Sequence, residues 1–265
     1  MASGATTGSA ATAGSGATTG SAATVAATAA APSVSVLTPT YNRRRFLPGL
    51  LACYKSQKYP MAKMEWIILD DGTDPVEDFF TEAAKTIPNI RYIRMETKLL
   101  IGAKRNILNR EARAPILVAM DDDDFYSPDR VAHAVRAFEQ NPSVELAGSS
   151  ELYMYYTDTK EIYRLGPYNP NHATNGTMAW RRSYALSHVY DESVTFGEEK
   201  SFLDNYKHKM IQLDSFKTML VISHDTNTFD KRSLRAKPNP LMKLTKMGMK
   251  AFIKDSTIRE FYAGV

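Results

Sequence analysis

Four consecutive aspartates, Asp121–Asp124, follow an apolar run and precede aromatic residues in the segment ILVAMDDDDFYSP. Adjacent carboxylates disfavour one another's ionisation, so we expect a positively charged partner beside them. Carboxylate oxygens are preferred ligands of Mg²⁺ and Mn²⁺, which also bind substrate phosphates. Because side chains alternate along an extended segment, Asp121 and Asp123 would share one side. The alternative is an acidic turn that caps the next helix.

Two further polar clusters come directly after apolar runs that are typical of strands, VSVLT and WIILD. An aromatic ring at these positions could pack on a nucleobase, and arginines could bind phosphate or a base edge. An aspartate there could accept hydrogen bonds from a base or a ribose. Each residue also has a structural alternative, such as an ordinary turn. The candidates are Tyr41, Arg43, Asp71 and, in a later helix, Arg105.

Strand and helix patterns alternate from about Ser33 to Ser150. Five apolar runs predict strands, in VSVLT, EWIILDD, IRYIRM, PILVAM and VELAGSS. Helices are predicted after Phe46, from Pro75 with Asp74 as its cap, over IGAKRNILNREA, and from Pro128. Such alternation predicts a parallel sheet with helices on both faces. Ligands of these sheets bind beyond the carboxyl ends of the strands, so the three polar clusters should converge on one crevice.

The ends of the chain differ in composition from its middle. Residues 1–32 are uncharged apart from the terminus, rich in Ala, Thr, Ser and Gly, and contain SGATTGSAAT twice, which predicts a disordered leader. Residues 151–230 predict a mixed sheet extension with long loops. Residues 231–265 predict a basic helical tail in which MKLTKMGMKAFIK forms an amphipathic helix. That helix would either pack on the domain or contact a membrane surface peripherally.

Composition excludes several classes of protein. No apolar run is long enough for a transmembrane helix. The single cysteine, Cys53, excludes an internal disulfide and fits a reducing, cytoplasmic compartment. The net charge is +4, but residues 231–265 hold nine Lys or Arg against two Asp or Glu. The remaining body is therefore mildly acidic, which argues against nucleic-acid binding.

The motifs TPTYNRRRFL, WIILDDG, GAKRN, AMDDDDF and FGEEKSFL together resemble glycosyltransferase family 2, over about Val34–His224. The resemblance implies an α/β protein of the GT-A fold, which is Rossmann-like, with a mostly parallel central sheet and a mixed acceptor-side extension. The GT-A domain would span residues 33–230, with a nucleotide-sugar half, 33–150, and an acceptor half, 151–230. The resemblance further implies a nucleotide-sugar donor, usually a UDP-sugar, Mn²⁺ or Mg²⁺, inversion at the anomeric carbon, and a glycan or other hydroxyl acceptor.

The resemblance also implies roles for individual residues on the donor side. The nucleotide-binding set comprises Pro39, Tyr41, Asn42, Arg43, Asp71, Lys104, Arg105, Asp121 and Asp122. Lys104 stands where the family has alanine, which makes the contacts there differ from the family pattern. Asp121 and Asp123 correspond to the two acids of the family's DxD motif. Asp123 is the expected direct metal ligand, with Asp121 nearer the ribose.

On the acceptor side, Glu199 matches the catalytic base, with Glu198 as its rival. The structural alternative is that both carboxylates complement a helix dipole. His224 resembles a late histidine that serves as a second metal ligand, although a lone histidine is also commonly structural. His172 and Trp180 lie in the expected acceptor region, where Trp180 would be either a sugar-stacking platform or a core residue.

Two other functions share a nucleotide crevice. A nucleotidyltransferase that forms sugar nucleotides would release pyrophosphate, and it typically has a glycine-rich phosphate loop that the first strand here lacks. A catalytically silent nucleotide-sugar-binding protein would bind a donor without ever transferring or hydrolysing it.

Overall fold

The computed structural model describes residues 1–4, 31–236 and 238–265. The predicted leader, residues 1–32, lies almost entirely outside the described residues, so its disorder stays a prediction. The chain divides into two units, Met1–Ala31 and Pro32–Val265. All the elements below belong to the second unit.

The strands are named in chain order. They are β1 (Val34–Thr40), β2 (Met64–Asp70), β3 (Ile90–Arg94), β4 (Ile116–Ala119), β5 (Phe125–Tyr126), β6 (Leu146–Gly148), β7 (Leu152–Tyr156), β8 (Glu161–Leu165), β9 (Ala179–Arg181), β10 (Met210–Gln212), β11 (Met219–Ser223) and β12 (Met242–Leu244). The α-helices are α1 (Leu47–Lys55), α2 (Glu77–Ala84), α3 (Ile101–Glu111), α4 (Arg130–Gln140), α5 (Arg182–Ala185), α6 (Glu199–Phe202) and α7 (Ser256–Gly264).

A seven-stranded sheet has the order β10-β6-β9-β4-β1-β2-β3. Strands β1 to β4 run parallel, with Val34 opposite both Met64 of β2 and Ile116 of β4. Only β9 is antiparallel to its neighbours in this sheet. The mostly parallel central sheet expected from the alternating pattern is therefore confirmed.

The central strands bury both of their faces. Val36 and Ile68 contribute to one apolar cluster, together with side chains of α1, α2 and α4. Leu37 and Ile67, the residues beside them in sequence, contribute to a second cluster with α3, α5 and α6. Alternate side chains of a strand point to opposite faces, so helices cover both faces of the sheet, as predicted.

Helix starts are shifted from their predicted positions. The second helix begins at Glu77, and Asp74, whose Oδ2 accepts a hydrogen bond from Arg44 Nε at 2.9 Å, lies outside it. The helix predicted from Pro128 begins at Arg130. Caps compete with nearby side chains for the same hydrogen-bonding groups, which the sequence pattern does not show.

A five-stranded mixed sheet, β12-β8-β7-β11-β5, follows in the second half of the fold. The amphipathic helix predicted for MKLTKMGMKAFIK is wrong. Residues Met242–Leu244 instead form β12, antiparallel to β8, and Met249–Ala251 form a short 3₁₀ turn after Gly248. Backbone pairing with an open sheet edge has overridden the helical pattern. In the described part of the chain, no helix has the length and apolar content needed to cross a bilayer.

Candidate active site

The aspartate run lies where the chain passes from one sheet to the other. Strand β4, in the seven-stranded sheet, ends at Ala119, and β5, in the five-stranded sheet, begins at Phe125. The short connection gives each carboxylate a different environment. Asp124, for example, accepts a hydrogen bond from the backbone N–H of Ile222 in β11 at 2.7 Å. This bond connects the aspartate run to β11.

Asp123 and His224 meet although 101 positions separate them in the chain. His224 directly follows β11, and its Nε2 lies 3.1 Å from Asp123 Oδ2. Arg43 Nη2 lies 3.8 Å from the same oxygen. Burial would raise the pKa of Asp123, but the charges of Lys231 and Arg43 and the hydrogen bond with His224 outweigh burial and lower it. Burial lowers the pKa of His224, which favours the neutral imidazole that a metal requires.

This pair has the chemistry of a partial metal site. The residues that the structure describes contain no group of three or more His, Cys, Asp or Glu side chains arranged to hold a metal ion. Mg²⁺ is, however, commonly bound by one or two protein ligands, with substrate phosphates completing its coordination. The neighbouring Asp122 Oδ2 is buried without a hydrogen-bond partner, and burial beside Asp123 raises the pKa of Asp122 strongly. Asp123 and His224 therefore supply two ligand types that suit a divalent cation, with its remaining coordination left to donor phosphates and water.

Asp121 pairs with an arginine, whereas Asp123 contacts a histidine. Arg105 on α3 binds both of its carboxylate oxygens, at 2.9 and 3.1 Å, and donates through Nε to Glu198 Oε1 at 2.7 Å. The guanidinium is buried, and burial alone would lower its pKa, but the charges of Asp121 and Glu198 raise it well above the usual value. Arg105 is thus a positively charged partner of the aspartate run, in a place where the sequence predicted a metal ion. It also connects that run to the glutamate pair.

Glu199 is the first residue of α6 and is half-buried. Among the described residues, no other side chain forms a hydrogen bond or ion pair with Glu199, whereas Glu198 beside it is paired with Arg105. Burial, reinforced by the charge of Glu198, raises the pKa of Glu199 to about 7. A carboxylate with this pKa can accept a proton near neutral pH, which suits a general base.

The segment before Glu199 is fastened to α3. Asn106 donates through Nδ2 to the carbonyl oxygen of Tyr190 at 2.9 Å and accepts from the Tyr190 N–H at 2.8 Å. It also donates to Glu192 Oε1 at 2.9 Å. These contacts place the glutamate pair beside the helix that carries Arg105.

The Asp71 cluster lies at the ends of β1 and β2. Asp71 is buried in an ion pair with Lys104, and its Oδ2 accepts from the Leu99 N–H at 2.7 Å. Lys104 also donates to the Thr40 carbonyl at 3.3 Å, and burial lowers its pKa. The lysine that replaces the family's alanine thus neutralises the expected nucleotide-binding acid. For Asp71 to contact a base, one of these partners must move.

The end of β1 contacts the loop after β11. Arg43 donates to the Thr226 carbonyl at 2.5 Å, and the Tyr41 ring lies 4.3 Å from Lys98 Nζ. Asn42 has a left-handed backbone, φ 54°, and its Oδ1 accepts from the Asp74 N–H at 3.1 Å. Pro39 is buried within β1. The structure therefore brings Arg43 close to Asp123 and His224, whereas Asn42 shapes the turn.

The two acceptor-side candidates differ in their surroundings. Trp180 is only 1% exposed in β9, and its Nε1 donates to Asn109 Oδ1 at 3.1 Å, so it is a core residue and not a stacking platform. His172 is partly exposed between the rings of Tyr168 and Tyr206, with centroids at 4.4 and 4.8 Å. Burial lowers the pKa of His172. Its role in acceptor binding stays a prediction.

Two residues of the site were missed by the sequence reasoning. Asn227 donates to Asp123 Oδ2 at 3.2 Å and lies 2.7 Å from His224 Nε2. Lys231 acts on Asp123 through its charge and donates to the Ile222 carbonyl at 3.3 Å. Only the polar stretch after His224 hinted at Asn227, and nothing in the sequence signalled Lys231.

Comparisons with known proteins show which family this chain resembles in sequence. The chain matches the family described as Glycosyl transferase family 2 over residues 35–197. An uncharacterized glycosyltransferase of Haemophilus influenzae is 31% identical over 111 residues, which cover 42% of this chain and 36% of that protein. Chondroitin synthase of Escherichia coli is 29% identical over 137 residues, which cover 51% of this chain and 18% of that protein. The chain thus spans about a third or less of the length of these relatives.

Solved structures share the fold at low identity. Staphylococcus aureus TarS 1–349 in complex with UDP-GlcNAc has a TM-score of 0.60 at 15% identity, covering 74% of this chain and 60% of that chain. The mannosyltransferase PcManGT from Pyrobaculum calidifontis, in complex with GDP-Man and Mn²⁺, has a TM-score of 0.61 at 17% identity, covering 79% and 62%. With its aspartate run at the strand ends and a family match over most of the folded unit, the chain belongs to glycosyltransferase family 2 and has the GT-A fold.

Proposed function

We propose that this chain transfers a sugar from a nucleotide-diphosphate donor, a UDP-sugar, to a hydroxyl group of a glycan or another acceptor, with inversion and in a metal-dependent manner. The observation that carries the proposal is that Arg105 pairs with some of the carboxylates of the site and not with others. It occupies Asp121 and Glu198 and leaves Glu199 without a side-chain partner. Glu199, with a pKa of about 7, thus lies beside a glutamate that Arg105 links to Asp121, two positions before the Asp123 of the carboxylate–histidine pair.

Glu199 is the proposed base. It removes the proton from the acceptor hydroxyl while that oxygen attacks the anomeric carbon from the face opposite the leaving diphosphate. The new glycosidic bond forms as the bond from the anomeric carbon to the diphosphate oxygen breaks. Glu198 is the weaker candidate because Arg105 already takes up its charge. Arg105 therefore acts as a positioning residue in this proposal.

Asp123 and His224 are the proposed protein ligands of Mn²⁺ or Mg²⁺. A bound divalent ion would offset negative charge on the departing nucleotide diphosphate. Arg43, which lies within 3.8 Å of Asp123, is positioned to bind donor phosphate on the same side. Tyr41, Asp71 and Lys104 are proposed to surround the nucleoside. The complex of PcManGT with GDP-Man and Mn²⁺ supports a nucleotide-diphosphate sugar and a metal, and the complex of TarS with UDP-GlcNAc supports a UDP-sugar.

A panel of nucleotide sugars, each incubated with and without Mn²⁺, tests the function. We expect metal-dependent release of a nucleoside diphosphate from at least one UDP-sugar, together with thermal stabilisation by that donor. Release of pyrophosphate from a nucleoside triphosphate would instead indicate a nucleotidyltransferase. Binding without any turnover, tested with a broad set of acceptors, would contradict the enzymatic proposal.

The assignment of the base is tested by two matched variants. Glu199→Gln should lower turnover by about 10²–10⁴-fold and leave donor binding intact, because only proton removal is lost. Glu198→Gln keeps an oxygen that can accept from Arg105, so its turnover should fall by much less. The reverse order of the two effects would assign the base to Glu198.

A further inference from the structure

The segment 238–254 presents an unusual combination of side chains on the surface. Leu241, Leu244 and Met247 are exposed by 36%, 55% and 39%, and they lie within seven positions of one another. Several large exposed apolar side chains within one short segment commonly mark an interaction surface. We call this segment the basic strand-turn. It is remote in sequence from Asp123 and Glu199.

Its charge is entirely positive. The segment contains Lys243, Lys246, Lys250 and Lys254 and no aspartate or glutamate. All four lysines are exposed, and none of them forms an ion pair with a described residue. Lys254 only donates to the carbonyl oxygens of Lys250 and Ala251, both at 3.0 Å. The lysines therefore remain available to an external anionic surface.

The backbone of the basic strand-turn is held in place at both ends. Strand β12 is the edge of the five-stranded sheet and pairs only with β8. Thr245 extends that pairing, with its N–H and Oγ1 donating to the Ile162 carbonyl at 2.9 and 2.8 Å. Beyond the turn, Met249, Phe252 and Ile253 are buried in the core. The segment is thus anchored at both ends, and its exposed leucines do not arise from fraying.

We propose that the basic strand-turn docks this chain on an anionic membrane surface. Exposed leucine and methionine side chains can enter the boundary between headgroups and acyl chains, and the lysines of the same segment are attracted to anionic headgroups. Charge complementarity favours lipid over a neutral partner, since four unpaired lysines would be desolvated in an apolar protein interface. The surface is a strand and a turn, in place of the amphipathic helix that the sequence pattern predicts.

Vesicle sedimentation tests the proposal with the full chain. We expect binding to phosphatidylcholine vesicles that contain phosphatidylglycerol, little binding to phosphatidylcholine alone, and loss of binding as salt screens the lysines. The double variant Lys243→Gln and Lys246→Gln should weaken binding by about tenfold or more. The matched control, Lys85→Gln with Lys207→Gln, removes the same charge from exposed lysines elsewhere and should bind like the unmodified chain.

A second pair of variants separates the apolar contribution from charge. Leu244→Ser should weaken vesicle binding, whereas Leu186→Ser, at a side chain 72% exposed outside the segment, should not. Far-ultraviolet circular dichroism confirms that each variant folds. Equal losses in test and control variants, or no binding to anionic vesicles, would overturn the proposal. A dimer in sedimentation velocity that Leu244→Ser abolishes, without vesicle binding, would show that the surface serves a second copy.

Discussion

At the scale of single residues, the neighbouring glutamates show how tertiary contacts separate groups that are chemically alike. Glu198 and Glu199 are adjacent carboxylates at the start of the same short helix. Arg105 forms a buried ion pair with the first, at 2.7 Å, and leaves the second unpaired. Removing Arg105 would leave Asp121 and Glu198 as uncompensated, poorly solvated charges, which is strongly unfavourable. The arginine therefore stabilises the site while defining the proposed base.

A pH profile follows from the pKa of Glu199. Its folded value of about 7 lies above the ordinary 4.5, so the carboxyl group is mostly protonated below pH 7 and cannot accept a proton. We expect kcat/KM for sugar transfer to rise with pH and to level off above an acid limb near 7. Steady-state rates between pH 5 and pH 9 measure this profile (the range is about two pH units on either side of the expected midpoint).

The raised pKa of Glu199 also makes the free energy of unfolding depend on pH, which gives an independent check of that pKa. Between the unfolded value of 4.5 and the folded value of about 7, the folded state binds more protons than the unfolded state. The contribution of Glu199 is therefore favourable at low pH and is lost as the pH rises through this window. Glu199→Gln should consequently gain stability relative to the unmodified chain at pH 8 and not at pH 4. An acid limb in activity near 4.5 would contradict the raised pKa.

At the scale of elements, α3 organises the site from three directions. Lys104 reaches Asp71 at the end of β2, Arg105 reaches the aspartate run after β4, and Asn106 fastens the segment before α6. Consecutive side chains of a helix point about 100° apart, so three residues of one turn can contact three different segments of the chain. The GAKRN motif is the local sequence that makes this possible.

Gly102 lies in the first turn of α3, three positions before Arg105. It permits the close approach of α3 to the segment that precedes α6, at Asp191. A Cβ added at Gly102 would overlap the backbone carbonyl of Asp191, which cannot move as freely as a side chain. We expect Gly102→Ala to cost about 1–3 kcal/mol of unfolding free energy. It should also lower turnover, because the segment that leads to Glu199 is displaced. Urea unfolding and steady-state rates measure the two effects.

Gly264→Ala provides the matched control for that substitution. Gly264 lies in α7, and a Cβ there would meet no heavy atom within 4 Å. Alanine favours helix over glycine, so this variant should be neutral or slightly more stable. Equal losses of stability and turnover in Gly102→Ala and Gly264→Ala would show that the tight contact between α3 and Asp191 does not cause the effect of Gly102→Ala.

At the scale of the whole molecule, the C-terminal residues are part of the folded unit and do not form a separate tail. Tyr262 of α7 is fully buried, and its hydroxyl donates to the Asp124 carbonyl at 3.0 Å. It also lies 3.5 Å from Cys53 Sγ in α1. The last helix therefore braces the aspartate run against the first helix.

This brace predicts graded losses of stability. Tyr262→Ala should destabilise the fold by about 3–5 kcal/mol, as large aromatic truncations in a core do. Tyr262→Phe keeps the packing and loses only the hydroxyl contacts, for about 1 kcal/mol. Thermal and urea unfolding measure both. A loss of similar size in the two variants would mean that the hydroxyl contact with Asp124, and not packing, dominates.

The sequence by itself determined the layers of this protein and the edge at which its chemistry lies. Apolar runs such as VSVLT and WIILD fix buried parallel strands, because a period of two or a continuous apolar run is a local property of the chain. The position of Asp121–Asp124 after such a run places the acids at the ligand-binding edge. The predicted limits of the donor and acceptor halves, 33–150 and 151–230, are not tested by the structure.

Only the tertiary structure decided which of several chemically similar side chains has which role. It also decided the secondary structure of segments whose sequence pattern fits more than one element. Trp180 is a core residue, Glu199 is the unpaired glutamate, and Lys231 and Asn227 join Asp123, because residues distant in the chain surround them. The segment MKLTKMGMKAFIK has a helical pattern, yet β8 offers its backbone an open edge. Burial, pairing and pKa depend on neighbours from elsewhere in the chain, and no local pattern of residues contains that information.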